Sequence, residues 1–577
     1  MRTKRGVAML ATGAAAVVVL GACSSVGGGQ GEDAGNAGGG QEEPTGVVEG
    51  DGELFNINSH NREDLQDGGT LRIAIGEGLP SQWNPMHTVG NEGDISDVRT
   101  LMEVTNWHYN GEADYEPNEN FLLDYTDEVV DGQQVITLNL NPDAVWNTGD
   151  PITWEDYEAT LTACNGEMDV SCVQVDPYRQ IESVEMGEDE FQVVITFKET
   201  YPDWSSLVSS VLPAESVSDA ETFDTGWQNF EDTTDYWTGP FVVEDINESQ
   251  QIIRLVPNEN WWGDEPILDE VQFHAITIEA QPQAFQNGEV DAFEVGPDPN
   301  AYNIASDTPD ASIRSAAGPD WRHITMNSEA GPLQELEVRQ AVQQAVNTEA
   351  IMNSDLAGLP QEFALPLGNH IFVNGQTGYQ DNSGEFGYDP QAAAATLDEA
   401  GWVMNEETGI RERDGEPLVI PFNPISGVPV SENEGQLVQE QLREVGIDVP
   451  LNPVPQDTWS ELLDRGDYSM MPFSWLGTPY PMNGLAQIYG DPSVNDSNYA
   501  NLNNDEINEL IGQVDVETDE QTRIDLANQV DQLIWEEGHT LPLYQRPQIY
   551  ATVDNLANYG ALGFSSATPE NWGYVAE

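Results

Sequence analysis

The chain has 577 residues, with 102 acidic side chains against 18 basic ones and a net charge of −84 at pH 7. A chain so short of cations excludes nucleic acid as a partner, because binding phosphates takes clustered Lys and Arg. Fifteen Trp, 18 Tyr and 16 Phe spread along its length supply a packed core, which excludes a disordered acidic chain.

In chain order, the first feature is a secretory leader. Arg2, Lys4 and Arg5 precede an apolar run from Val7 to Leu20, interrupted only by Thr12 and Gly13. The run is too short and wrongly flanked to span a membrane. Leu20-Gly21-Ala22-Cys23 resembles a lipobox, the processing signal of bacterial lipoproteins, which implies a signal peptide over 1–22 and diacylation of Cys23. Two acyl chains anchor stably where one does not. The alternative is an ordinary leader with an incidental cysteine. Residues 23–52 are mostly Gly, Ser, Gln, Ala and acid, and are expected to form a flexible stalk. No later segment offers the roughly 20 apolar residues of a spanning helix. The remaining chain of about 520 residues exceeds what one core serves, so at least two lobes are expected. If Cys23 carries lipid, Cys164 and Cys172 are left to pair in an oxidising compartment, or to stay as two buried thiols.

Strands and helices then alternate with short connections. Leu71-Arg72-Ile73-Ala74-Ile75 alternates with period two and stops at Gly76, predicting a strand. Asp389-Pro390 predicts a helix start, with Ala393, Leu397 and Ala400 on one face and Gly401 as the stop. Val438, Leu442 and Val445 line the next helix up to Gly446, and Ile447 to Leu451 alternates as a strand. Asp457 is the expected cap of a short helix that ends at Gly466, ahead of a strand from Tyr468 to Trp475. Thr518 to Gln521 predicts a capping box for a helix carrying Ile524, Ala527, Val530 and Ile534 and ending at Gly538. This alternation predicts an α/β layer architecture.

The sequence holds no nucleophile elbow, no His-Glu-x-x-His and no Cys-x-x-Cys. Gly76-Glu77-Gly78 lacks the third glycine of a dinucleotide fingerprint, and the seven histidines never fall at metal-ligand spacing. Neither a catalytic role, a metal nor a cofactor is expected.

Several separated segments together resemble the extracellular solute-binding proteins of ABC importers, family 5, the oligopeptide and dipeptide class. They are Val145 to Asp156, Trp237-Thr238-Gly239-Pro240-Phe241, Pro257 to Gly263 with Pro266-Ile267-Leu268-Asp269, and Gly288-Glu289-Val290-Asp291. Further on come Val338-Arg339-Gln340-Ala341 with Ala345-Val346-Asn347, and Tyr388-Asp389-Pro390 with Leu397 to Trp402. They keep the family's order over most of residues 68–550. Most of them support structure; Trp261 and Trp262 are read as core rather than as a ligand cage.

The resemblance implies an α/β two-lobed clamp of the periplasmic-binding-protein type (class II), with an extra domain inserted in the first lobe. Lobe I is expected over 67–100, 213–318 and 540–577, the inserted domain over 101–212, and lobe II over 319–539. A ligand would bind between the lobes and be buried by hinge closure, a peptide as an added strand. The implied protein is a monomer anchored outside the cytoplasm that passes a peptide to a membrane permease. Other members bind nickel, haem or oligosaccharide, and a secreted hydrolase is the alternative from another class.

The cleft is expected to be lined by Trp83, His87 and Thr88 after the first strand, by Phe422 and Asn423, and by Trp475, Thr478 and Tyr480. In peptide binders of this class an Asp shortly after the tryptophan pairs with the ligand ammonium; here Thr478 stands near that position. Dipeptide binders carry an Arg on the preceding loop, and Asn423 to Pro429 has none. A zwitterionic dipeptide is therefore less favoured than a longer peptide, since a buried charge without its partner costs several kcal/mol. Finally, at about 1 M salt the Debye length falls to roughly 3 Å and screens the chain's self-repulsion, which predicts a salt-loving source with an acidic proteome.

Overall fold

The computed structural model describes residues 54–576, except Glu77, Asn91, Glu92, Gly375, Gln456, Asp457 and Asp496. The leader, Cys23, the stalk, the Asp457 cap and the middle residue of Gly76-Glu77-Gly78 lie outside the described residues.

One mixed sheet runs through the molecule. Its strands in chain order are β1 (Thr70–Ile75), β2 (Phe241–Asn247), β3 (Ile252–Pro257), β4 (Glu270–Ala275), β5 (Ala292–Glu294), β6 (Ala311–Met326), β7 (Met470–Trp475) and β8 (Thr540–Val553). Their spatial order is β7-β6-β8-β5-β1-β4-β3-β2, with Leu365–Pro366 added on β8. β1 pairs in parallel with β4 and β5, whereas β6, β7 and β8 pair antiparallel. The predicted first strand forms, and Leu71, Ile73, Ala74 and Ile75 are all buried because a central strand is covered on both faces.

β6 and β8 are long enough to belong to both lobes. Ala311 to Ala317 pairs with Pro547 to Val553 beside the first-lobe strands, while Trp321 to Met326 pairs with β7 in the second lobe. Between these stretches the register breaks: Gly318, Pro319 and Asp320 together face Arg546. Gly318 sits so close to the opposite strand that an added Cβ would lie 2.4 Å from the Arg546 carbonyl oxygen.

Three larger cores surround the sheet. Leu71, Trp83, Trp227, Trp237, Phe241 and Phe273 form that of the first lobe. Val104, Trp107, Tyr157, Ile195 and Trp204 form a second, around a four-stranded sheet built from Leu122–Val130, Gln133–Leu140, Gln192–Phe197 and Ile181–Met186. Val338, Leu397, Phe422, Leu442 and Ile447 form that of the second lobe. Cys164 and Cys172 are joined in a disulfide, with Cα atoms 5.9 Å apart.

The segments that carry the family resemblance each have a local structural role. Asp156 accepts hydrogen bonds from the Thr153 amide (2.9 Å), the Ala214 amide (2.9 Å) and the Trp146 indole (3.3 Å), tying three segments together. Gly239 has φ +85° and packs on the Leu101 carbonyl, where a side chain would clash. Trp261 and Trp262 pack on Phe121, with their indole nitrogens donating to backbone carbonyls.

The helix Pro390–Glu399 starts at Asp389, whose carboxylate accepts from the amides of Gln391 and Ala392, and Gly401 follows it at φ +84°. Two local expectations are corrected. Ile447 to Leu451 runs parallel to Leu418 to Phe422, with the Asp448 amide donating to Leu418 and the Ile420 and Phe422 amides to Asp448 and Pro450, but as isolated bridges rather than a continuous strand, because Pro450 has no amide to donate. The helix Glu520–Glu537 is capped by Asp519, accepting from the Thr522 amide, rather than by a box starting at Thr518. The Asp519 carboxylate, one residue closer to the helix, reaches the free amides directly.

Candidate functional site

The lobes meet where three segments converge. These are the turn that carries Tyr201, Asp203 and Ser206 in the inserted domain, the loop following β7 from Leu476 to Gly484, and the helix Glu520–Glu537. Arg523 on that helix donates both terminal nitrogens to Asp203, at 2.8 Å for Nη1 to Oδ1, and each side chain is only 8% exposed. Tyr201 donates its hydroxyl to Asn483 Oδ1 (3.0 Å), and Asn483 Nδ2 donates to Ser206 Oγ (3.3 Å). The hydroxyls of Tyr109 and Tyr480 share a hydrogen bond of 3.0 Å, their rings edge to face. These contacts join the inserted domain to the second lobe.

The electrostatics follow from burial. Burial works against the Arg523 charge, but the hydrogen bond and charge of Asp203, together with Asp515 and Tyr201, outweigh it and raise its pKa. Asp515 beside them is pushed up to about 6, mainly by burial. Burial also raises Tyr109 and Tyr480, which stay neutral donors at any physiological pH.

Behind this contact, Trp321, Trp475, Leu476, Asn483 and Tyr489 line a cavity of about 40 Å³, enough for ordered water or a small side chain. Trp475 stacks on His323 and Tyr499, both within 8° of parallel. His323 is fully buried and its pKa falls well below the usual value, first through burial and then through Arg322. A larger hollow of about 430 Å³ lies instead over the first lobe, among Met102, Phe230, Trp237 and Val256. It is an open depression away from the lobe contact. Two of its polar groups, Asn147 and Asn258, already bond to each other.

Of the residues expected in the cleft, Trp475, Thr478 and Tyr480 lie together on β7 and the loop after it. The others do not join them. Trp83 is 1% exposed and packs against Phe230 and Trp237 in the first-lobe core. His87 faces Asp224 at 3.6 Å and bridges Cys172, with Thr88 bonded to Ser171. Phe422 is fully buried in the second-lobe core, closed over by Gly435. Asn423 donates to the Asn452 carbonyl, and its Oδ1 is buried with no hydrogen-bond partner. Large apolar side chains after strands serve cores more often than clefts, which is why the sequence pattern pointed to Trp83 and Phe422. The sequence reading missed Tyr109, Tyr201, Asp203, Asn483 and Arg523. They are brought together from segments up to 320 residues apart and carry no local pattern. Among the described residues, no three His, Cys, Asp or Glu gather as a metal site, and no helix is long and apolar enough to cross a membrane.

Residues 116–496 match the model of the bacterial extracellular solute-binding proteins, family 5 middle region. The oligopeptide-binding protein OppA of Mycobacterium tuberculosis is 32% identical over 522 residues, covering 89% of this chain and 86% of its own. The chain belongs to family 5 of the extracellular solute-binding proteins. Solved structures share the fold. The periplasmic EDTA-binding protein EppA superposes with a TM-score of 0.81 at 22% identity, covering 92% of this chain and all of its own. The oligopeptide-binding protein AppA of Bacillus subtilis, in complex with a nonapeptide, gives 0.72 at 20% identity over 89% of this chain and all of its own. The expected α/β two-lobed clamp is the fold found.

Proposed function

We propose that this family member captures oligopeptides outside the cytoplasm and passes them to an ABC permease, held at the membrane by lipid on Cys23. The observation that carries the reading is the contact of the inserted domain with the second lobe across Asp203–Arg523, Tyr201–Asn483 and Tyr109–Tyr480, the closed arrangement in which a clamp would hold its ligand. The 32% identity to a protein named for oligopeptide binding supports peptide as the ligand. The absence of an arginine from Asn423 to Pro429 favours longer peptides over zwitterionic dipeptides. The protein acts as a monomer without a cofactor and turns nothing over. Lobe I comprises 67–100, 213–318 and 540–577, the inserted domain 101–212 and lobe II 319–539; three separate cores support three units, although Ala163, Cys164 and Cys172 pack in the first-lobe core and Leu541 and Leu543 in that of the second. Native mass spectrometry of the leader-free protein, with fragmentation of whatever co-purifies, tests the ligand. A ladder of intact peptides is expected. A single non-peptide mass, or cleavage of added peptides, would overturn the reading.

A further inference from the structure

The register break in β6 does more than bend a strand. Three residues face one across it, so the chain loops outward and carries Asp320 off the sheet. Asp320 Oδ1 accepts the Gly477 amide at 3.2 Å, and Oδ2 lies 3.7 Å from Arg546 Nη1, too long for a hydrogen bond. Gly477 in turn is pressed onto the break: an added Cβ would sit 2.4 Å from the Pro319 carbonyl oxygen. The loop that meets the inserted domain is thus seated on the carboxylate.

Asp320 remains a quarter exposed and Arg546 about a third, although protein surrounds the carboxylate on nearly every side. The pair is thus sheltered yet open to a ligand. Asp320's neighbour Trp321, and Leu476 beside Gly477, both line the small second-lobe cavity behind the contact with the inserted domain. Burial raises the Asp320 pKa by more than Arg546 lowers it, so the charge is under-compensated as it stands. Nearby, the buried Gln545 Oε1 has no hydrogen-bond partner among the described residues, while its Nε2 donates to the Gly318 carbonyl in the same break.

We infer that Asp320 is the anchor for a positively charged amino group of the bound peptide, with Arg546 alongside it for a neighbouring carbonyl oxygen. The inference rests on the peptide reading above. It assigns to the strand shared by the two lobes a charge that the loop after Trp475 does not carry, since Thr478 stands there. Ligand placed here touches the residue on which the closing loop is seated, so occupancy and closure favour one another.

Isothermal titration calorimetry with penta-alanine, and with the same peptide N-acetylated, tests the assignment. The wild-type protein should prefer the free amine by roughly ten- to hundredfold, the range expected for a charge-assisted hydrogen bond in a sheltered site. Asp320→Asn should lose most of that preference and bind both peptides like the acetylated one. Equal wild-type affinities for the two peptides would overturn the anchor and leave peptide capture standing. Binding of neither peptide, alongside a non-peptide mass in the native spectrum, would remove both. The acetylation comparison needs no variant, so it decides the question even if Asp320→Asn fails to fold.

Discussion

The ion pair between Asp203 and Arg523 allows closure to be tested quantitatively. It links the inserted domain to the second lobe, and both side chains are 8% exposed. When the clamp opens, both charges return to water. Asp203→Asn removes one charge and leaves Arg523 buried beside Asp515. Removing one member of a buried, hydrogen-bonded pair costs about 3–5 kcal/mol. That cost falls almost wholly on the closed state, because the open state never held the pair. Even 3 kcal/mol moves the closed-to-open ratio by roughly a hundredfold, and apparent affinity falls once the closed form is a minority. Arg523 also donates to the Val514 carbonyl within its own lobe, so Asp203→Asn is the cleaner perturbation. Small-angle scattering should show an enlarged radius of gyration, and peptide affinity should drop by ten- to hundredfold. The double variant, Asp203→Asn with Arg523→Gln, should recover part of the loss, because no unpaired charge stays buried. A single variant that scatters and binds like the wild type would refute the reasoning. So would a double variant that simply sums the single losses.

Other expectations follow from buried charge and covalent closure. Asp355 is pushed up to about 7, first by burial and then by Glu434, which pairs with Arg322. An acid with a raised pKa keeps its proton in the folded state while the unfolded chain releases it, so stability falls as pH rises from about 4 to 7 and then levels off. Asp355→Asn should remove that slope, gaining at most about 4 kcal/mol at pH 8 and little at pH 4; parallel denaturation curves at both pH values would disprove it. With a net charge of −84, the melting temperature should rise between dilute buffer and molar salt, and a flat response would show that self-repulsion is unimportant. Replacing Cys164 and Cys172 by Ala should cost about 2–3 kcal/mol in chemical denaturation, as a short closed loop predicts; an unchanged midpoint would mean the bridge constrains nothing.

Local chemistry was legible where one segment decides its own structure. Asp389-Pro390 and Gly401 bound a helix as expected, and Gly446, Gly466 and Gly538 sit at positive φ after theirs. The ordered motifs named the clamp because each ties backbone to backbone, as Asp156 does. Burial was harder to read. An aromatic after a strand looks the same whether it faces a cleft or a core, so Trp83 and Phe422 were placed in the wrong surroundings, while Trp475 and Tyr480 were near the contact. The closing contacts were invisible for another reason. In a chain with 102 carboxylates, nothing local separates Asp203 from the rest; only its position opposite Arg523 does. The Gly318-Pro319 pair in the middle of a strand was the one available hint that the ladder breaks there.

The continuity of the central sheet also bears on the order in which the chain can fold. β8 ends at Val553, 24 residues before the C-terminus, yet it lies between β6 and β5 and so completes the sheet in both lobes. Until Thr540 to Val553 has been made, each lobe lacks a central strand and stays short of its native core. A chain so ordered remains loose through most of its synthesis and reaches its locked form only once β8 slots between β6 and β5.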